Sequence, residues 1–429
     1  MSSSLTKQLN YTERRSFHLH LTYSLIEGVI IGVLALNEFV FIRSIKGSNY
    51  QLGILFQLTT VLLIFAVFFH ELLKRYSDKK RLLRIVALLT RLPLVLLCFF
   101  PSNPDVYIHN SAYHYYFLGI FLIYYLGNPL IFPSINQLLK NNYQHEHFGR
   151  LYTLATTWNK IVMIAVTFLY GLLLDYDYYA FRYIFPIIAV LGVVSVYLLT
   201  KIPFIEHSHF DKKHSFLKSI KESINGMLRI LKVNKPYRHF EIGFMLYGFA
   251  FMSTVSVITI FFSRHLELNY TSVAFYKNGY NILAVLLLPL FGRLIGRIDP
   301  RRFAAITFFS MMIFLLFLVL TEQFPYFIWL ANIKLYYMLI FFIIGHGFFA
   351  ATMGILWSIG SSYFCEKENA DLYQSVHITL TGERALFAPL LGVLFYNLVG
   401  FSGTFFIAIM AVALAVFIMF WSLYREPKK

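Results

Sequence analysis

The chain has 429 residues, of which 58% are hydrophobic, 19% aromatic and only 14% charged. A soluble domain carries roughly a quarter of its residues as charges, so a water-soluble globular enzyme is excluded. The formal net charge of +16 is gathered in alternate loops between apolar runs, which excludes nucleic acid as a partner and reads as membrane topology.

In chain order, apolar runs long enough to cross the hydrocarbon predict spans near 17–42, 50–70, 82–100, 113–138, 150–174, 179–200, 239–263, 271–295, 302–321, 334–358, 371–397 and 402–424. The polar first 16 residues lead into a run longer than a signal-peptide core, without a small-residue cleavage pattern, so it is read as the first span. Glu71 to Arg84 holds Lys74, Arg75, Lys79, Lys80, Arg81 and Arg84, and Gly292 to Arg302 holds four arginines. Lys201 to Arg238 holds nine Lys/Arg, whereas Pro101 to Ala112 holds none. The positive-inside rule therefore predicts both termini in the cytoplasm of a multi-pass protein of the cell membrane.

A weak internal repeat runs at a shift of 221 residues: Asp78 with Lys80-Arg81 returns as Asp299 with Arg301-Arg302, Leu151-Tyr152 as Leu372-Tyr373, Tyr115-Tyr116 as Tyr336-Tyr337, Gly171 as Gly392 and Arg43 as Arg264. An even number of spans in each copy gives both the same orientation. The expected fold is an all-α membrane protein of 12 transmembrane helices in two parallel six-helix bundles, 1–200 and 239–429. Residues 201–238 form a basic linker, in which Phe216, Leu217, Ile220, Ile224, Met227, Leu228 and Leu231 follow the spacing of an amphipathic helix on the cytoplasmic membrane face.

The segment Gly292-Arg293-Leu294-Ile295-Gly296-Arg297-Ile298-Asp299-Pro300-Arg301-Arg302 resembles the loop signature between the second and third helices of a half in the major facilitator superfamily. Gly296 stands where that signature has an acid, and one extra residue precedes the basic pair. The counterpart keeps Leu73, Asp78 and the basic run with Arg81. The resemblance covers the whole chain as topology and short stretches as sequence. It implies a secondary transporter working by alternating access, with Asp78, Arg81, Gly292, Arg297, Asp299, Arg301 and Arg302 as a gating loop whose cations meet carboxylates or helix C-termini. The drug-exporter marks are missing: the fifth span reads Thr156-Thr157-Trp158-Asn159-Lys160 without proline, and the fourth has no arginine.

Ionisable residues inside spans are costly, each by about 2.5–3.5 kcal/mol on insertion scales. Glu27 lies about 15 Å into the first span at about 1.5 Å per residue. Arg91, Lys160, His346, Glu383 and Arg384, with the uncharged Asn128 and Asn159, fall near the same level. Cations outnumber carboxylates in this set, so the expected cargo is a small anionic or zwitterionic solute held by Lys160, Arg384, Asn159, Asn128 and His346. Glu27, Glu383 and Arg91 would couple protons or balance charge. Gly171, Pro389 and Gly392 would permit close packing or bending.

The pairs His18/His20, His145/His147 and His207/His209 lack partner spacing for a metal site and are read as solvated loop histidines. Cys98 and Cys365 show neither disulfide nor metal spacing. No metal, cofactor or catalytic residue is expected; the partners are a small-molecule substrate, the lipid bilayer and protons as coupling ion, for a monomer. An exporter of amphiphilic compounds or lipids is the alternative within the fold. An intramembrane lipid-modifying enzyme would need a nucleophile–base pair that does not stand out, and a receptor or scaffold would need a signalling domain that the sequence lacks.

Overall fold

Long helices dominate because a chain in hydrocarbon must satisfy its backbone polar groups within each segment. The computed structural model describes residues 9–65, 69, 78–203, 216–295, 297–365 and 370–425. Part of the first basic loop, with Lys74 and Arg75, part of the linker, with His207 and His209, and Gly296 lie outside the described residues. The helices are α1 Tyr11–Leu34, α2 Asn49–Val61, α3 Lys79–Arg91, α4 Ala112–Leu126, α5 Asn128–Asn142, α6 His145–Tyr176 and α7 Phe181–Leu199. They continue as α8 Phe216–Val233, α9 Lys235–Ile260, α10 Tyr270–Ile295, α11 Pro300–Gln323, α12 Tyr337–Ile359, α13 Ala370–Ala385 and α14 Ala388–Arg425. Strands β1 Phe327–Leu330 and β2 Ile333–Tyr336 pair antiparallel between α11 and α12.

Among the described residues, nine segments are long and apolar enough to cross a membrane. The expected second span is the shorter apolar segment Asn49–Phe65. The expected fourth is two helices, α4 and α5, parted at Gly127 with Pro129 in the first turn of α5. The expected tenth starts later than its hydropathy suggested, because Lys334–Tyr336 belongs to β2. The eleventh breaks after Ala385, and Gly400 (φ 72°), a conformation that glycine tolerates best, kinks α14.

The 221-residue shift returns in the backbone. A π-helical turn closes the first long helix at Val40–Ser44 and again at Phe261–His265. Lys46 and Glu267, also 221 apart, both have positive φ (59° and 50°). Asp78 and Asp299 both cap the following helix, through Arg81 N–H at 3.0 Å and Arg301 N–H at 2.8 Å. Each cap satisfies a helix-end donor.

By packing, the chain forms two units, one of residues 1–46 and 68–215, the other of 47–67 and 216–429. In the first, α1 lies along α6 and α7, and α3 along α7. Gly28 and Gly32 let α1 and α6 touch: a Cβ at Gly28 would be 2.7 Å from the Asn159 carbonyl, and one at Gly32 2.8 Å from Val166 Cβ. This is the small-xxx-small contact of membrane helices, where close approach replaces the hydrophobic drive. In the second unit, α9 and α11 pack on α14, α12 on α10 and α11, and α2 on α13 and α14. The amphipathic helix of the linker is present as α8, and its Met227 side is buried against α13 rather than turned only to a membrane surface.

Candidate functional site

The first unit contains a pocket of about 340 Å3. Helix α1 lines it with His20, Tyr23, Ser24, Glu27 and Ile31, α5 with Ile135, and α6 with Tyr152, Thr156 and Asn159. The spacing of His20, Tyr23, Ser24, Glu27 and Ile31 follows one helical face. Glu27 is 8% exposed, and Ser195 Oγ donates to it at 2.7 Å. Asn159 Nδ2 donates to the Ser24 carbonyl at 2.8 Å, fixing the amide at the α1–α6 contact. The arrangement offers a carboxylate, hydroxyls, an amide and aromatic rings, a set that suits a small polar solute.

Arg91 is buried. Its Nη2 donates to Asn128 Oδ1 at 3.3 Å, and its guanidinium lies over the Tyr124 ring at 4.0 Å. Thus Glu27 and Asn159 meet at the pocket wall, while Arg91 and Asn128 pair with each other. Lys160, half-buried on α6, has no hydrogen bond or ion pair among the described residues. Lys160 is not part of the pocket lining.

The second unit holds a separate polar cluster. Arg384 is 3% exposed, donates to the Phe244 carbonyl through Nη1 and reaches Thr381 Oγ1 at 3.4 Å. Its guanidinium occupies the space that a Cβ at Gly248 would fill, 5.5 Å from the Tyr247 ring centre. About two helical turns earlier on α13, buried His377 Nδ1 lies 3.1 Å from both Glu241 oxygens. Adjacent Glu383 is exposed, as the 100° step between neighbours on a helix requires. The break after Ala385 frees backbone groups, and Gln57 of α2 donates to the Leu386 carbonyl. Satisfying such groups from neighbouring helices is what permits a broken helix at membrane depth. His346 is instead sandwiched between Tyr280 (centroids 3.9 Å) and Phe314 (4.6 Å).

Of the loop residues, Asp78 and Asp299 are caps, and Arg301 is buried. Arg301 pairs with Asp299 at 3.0 Å and donates to the Ser422 carbonyl at 2.9 Å in the last turn of α14, where helix carbonyls favour a cation. Arg81, Gly292, Arg297 and Arg302 are exposed.

The histidine reading needs correction. His20 is buried with Nδ1 3.0 Å from the Tyr143 hydroxyl, and His147 pairs with buried Glu13 at 3.1 Å, so neither is a solvated loop residue. Glu241 and His377 escaped sequence reading because both lie within about two turns of the start of their expected spans, where charge is ordinary. The repeat carried a signal for them: 221 residues earlier stand His20 and Thr156, two residues of the pocket lining.

The fold and pocket define a polytopic integral membrane protein with a solute-sized polar cavity. The family profile described as Major Facilitator Superfamily matches residues 21–382, and the chain belongs to that superfamily of transporters, not to an enzyme family. No curated protein sequence gives a significant match. Among solved structures, the chain is similar to a point mutant of the nucleoside transporter NupG, at 12% identity and TM-score 0.68, covering 96% of this chain and 99% of that one. It is also similar to a POT family transporter in complex with a thioalcohol-conjugated peptide (11% identity, TM-score 0.69, 95% of each chain). A D-xylose–proton symporter matches at 16% identity and TM-score 0.63, covering 95% of this chain and 96% of that one.

Proposed function

We propose that the protein is a secondary active transporter of a small zwitterionic solute, working by alternating access with protons as coupling ion. The observation that carries this is the pocket of about 340 Å3 with Glu27 in its wall, inside a transporter fold. A carboxylate at the wall disfavours a purely anionic cargo and favours an ammonium group, with Asn159, Ser24 and Thr156 for its polar atoms. Lys160, next to Asn159 in sequence but outside the lining, is not assigned to the pocket, and an anionic end is left to the Asn159 amide and the Ser24 and Thr156 hydroxyls. Glu27 is the group proposed to exchange a proton, with Arg91 as its counter-charge, Asn128 holding Arg91, and Glu383 exposed on α13. Arg384 and His346, enclosed in the second unit, are assigned to bracing in place of the substrate role expected from sequence.

The broader architecture is read with twelve crossings in two halves, 1–200 and 239–429, both termini cytoplasmic, in the cell membrane and as a monomer. Three features support the count: the short Asn49–Phe65 segment, the α4–α5 pair, and the kink at Gly400 that divides Leu372–Arg425. The gating role of the basic loops is supported by Arg301 reaching the end of α14. The similar structures carry different solutes by their descriptions and argue for the fold alone, so the substrate class rests on the pocket.

A thermal-shift screen of purified protein against amino acids, betaines and matched anions tests this, because a bound ligand stabilises by mass action. Hits are then followed by counterflow in proteoliposomes at varied pH. Glu27→Gln keeps the shape and removes the charge; it should weaken binding of a zwitterionic hit by about 10–100-fold, as loss of a charged hydrogen bond does. Unchanged affinity and unchanged pH dependence in that variant would remove Glu27 from the site.

A further inference from the structure

The hairpin between α11 and α12 departs from the rule for exposed β-structure. Antiparallel strands facing water alternate apolar and polar side chains. Here Tyr326, Phe327, Ile328, Trp329 and Leu330 are all exposed, Trp329 and Leu330 by 59% each. From Phe324 to Tyr337 the one charged residue is Lys334. It is turned back into the protein, with Nζ donating to the Leu266 carbonyl at 2.8 Å and lying 4.5 Å from the Phe327 ring centre. The outward side is thereby left without charge.

The hairpin is also held firmly. Lys334 N–H donates to Ser272 Oγ at 2.8 Å, the Tyr276 hydroxyl donates to the Lys334 carbonyl at 3.0 Å, and Tyr336 N–H donates to that hydroxyl at 2.8 Å. Asn269 Nδ2 donates to the Asn332 carbonyl at 2.8 Å across the turn, where Ala331 and Asn332 have positive φ. Strand β2 is thus fastened to the start of α10, and β1 is presented outward at a fixed height. Both chain ends of the hairpin run into spanning helices, at Gln323 and Tyr337. The exposed apolar surface of those helices, with Phe324 before and Tyr337 and Phe341 after, continues into β1.

We propose that β1 and Tyr326 form an interfacial anchor that lies in the headgroup region of the bilayer beside α11 and α12. A tryptophan and a tyrosine flanked by large apolar side chains, at the end of a span, match the chemistry of the membrane–water interface. The occupant is lipid because the patch is continuous with surface that faces lipid already. Its unpaired strand edge finds water and headgroup partners at that depth, which the hydrocarbon would deny. The anchor fixes the height of the α11–α12 connection while the rest of the second unit remains free to move.

The test uses the full-length protein in proteoliposomes with Trp329 as sole tryptophan, excited selectively over tyrosine (Trp158→Phe, Trp357→Phe, Trp421→Phe). Lipids brominated near the headgroup should quench Trp329 at least about twofold more than lipids brominated at the chain ends, and aqueous iodide should quench it weakly. Free quenching by iodide without bromolipid quenching overturns the proposal. Shielding from both quenchers also overturns it, since a protein would then cover the strand. Should the triple substitution fail to fold, a nitroxide at Ile328→Cys, with Cys98→Ser and Cys365→Ser, reads the same depth. Collision with a water-soluble nickel chelate as frequent as at a fully aqueous loop position would again refute lipid contact.

Discussion

Gly248→Ala probes whether α9 is left bare at that position in order to seat the Arg384 guanidinium. A Cβ there would overlap Cζ, Nη1 and Nε of Arg384, so the guanidinium must leave its place. It would lose its bond to the Phe244 carbonyl, a hydrogen bond to a charged donor worth about 1.5–3 kcal/mol. It would also lose a contact with the Tyr247 ring of about 0.5–2 kcal/mol. The long 3.4 Å approach to Thr381 adds little. Alanine returns about 1 kcal/mol of helix propensity, leaving a net loss of about 1–4 kcal/mol. In an Arg384→Met background the space is no longer claimed by a charge. The same substitution should then be neutral or stabilising by up to about 1 kcal/mol, so the pair couples by about 1–5 kcal/mol in a double-mutant cycle. Unfolding in micelles, by heat or by titrated denaturing detergent, measures all four corners. An equal cost of Gly248→Ala in both backgrounds would refute the reasoning, since the clash would then lie with something other than Arg384.

At Gly392 a Cβ would overlap the Ser253 backbone carbonyl, which cannot rotate away, so Gly392→Ala should separate α9 from α14 and cost about 3 kcal/mol or more in the same unfolding assay. Gly292 has open space around its missing Cβ, and Gly292→Ala should be neutral or slightly stabilising; equal effects at the two sites would contradict the packing argument. Arg301→Met removes the guanidinium from Asp299 and from the Ser422 carbonyl while Asp299 keeps its cap to the residue 301 N–H, and should destabilise by about 1.5–3 kcal/mol, with earlier proteolysis at the α14 terminus as a second readout. Burial raises the Cys365 thiol above its ordinary value, so less thiolate exists near neutral pH. Maleimide labelling of Cys365 should therefore be slower than that of a model thiol and keep accelerating at pH values where the model thiol has levelled off; a matching pH–rate curve would refute this.

The parts of the fold that follow from periodicity and punctuation were legible in the sequence. Apolar runs and a repeat at 221 residues carry local signals, and the paired π-helical turns at Val40 and Phe261 obey the same shift, as do the caps that Asp78 and Asp299 prove to be. What depends on which helix a side chain meets was not legible. Hydropathy could not reveal that α2 would pack with α13 and α14, nor that the start of the expected tenth span would become β2. Glu27 and Asn159, at one expected depth, do share a pocket, whereas Arg384 and His346, at the same expected depth, are packed in other surroundings. Depth along a helix is only one of two coordinates, and the rotation about its axis decides the partner.

The repeat gives that lost coordinate a use. The pocket residues His20, Glu27, Thr156 and Asn159 correspond at the 221-residue shift to Glu241, Gly248, His377 and Leu380. The same pair of helix positions that leaves a cavity beside a carboxylate in the first unit is filled in the second by the Arg384 side chain lying against Gly248. At the position equivalent to Arg384 the first unit has Met163, which supplies no charge to fill its pocket. The equivalent crossings thus hold a polar cavity in the first unit and a plugged, charged joint in the second. Filling the first unit's pocket from the equivalent place should therefore abolish binding without unfolding the protein. Met163→Arg with Glu27→Gly, which transplants the joint, should retain the melting temperature of a folded protein and lose every ligand-induced shift. Retained ligand shifts would place the binding site elsewhere.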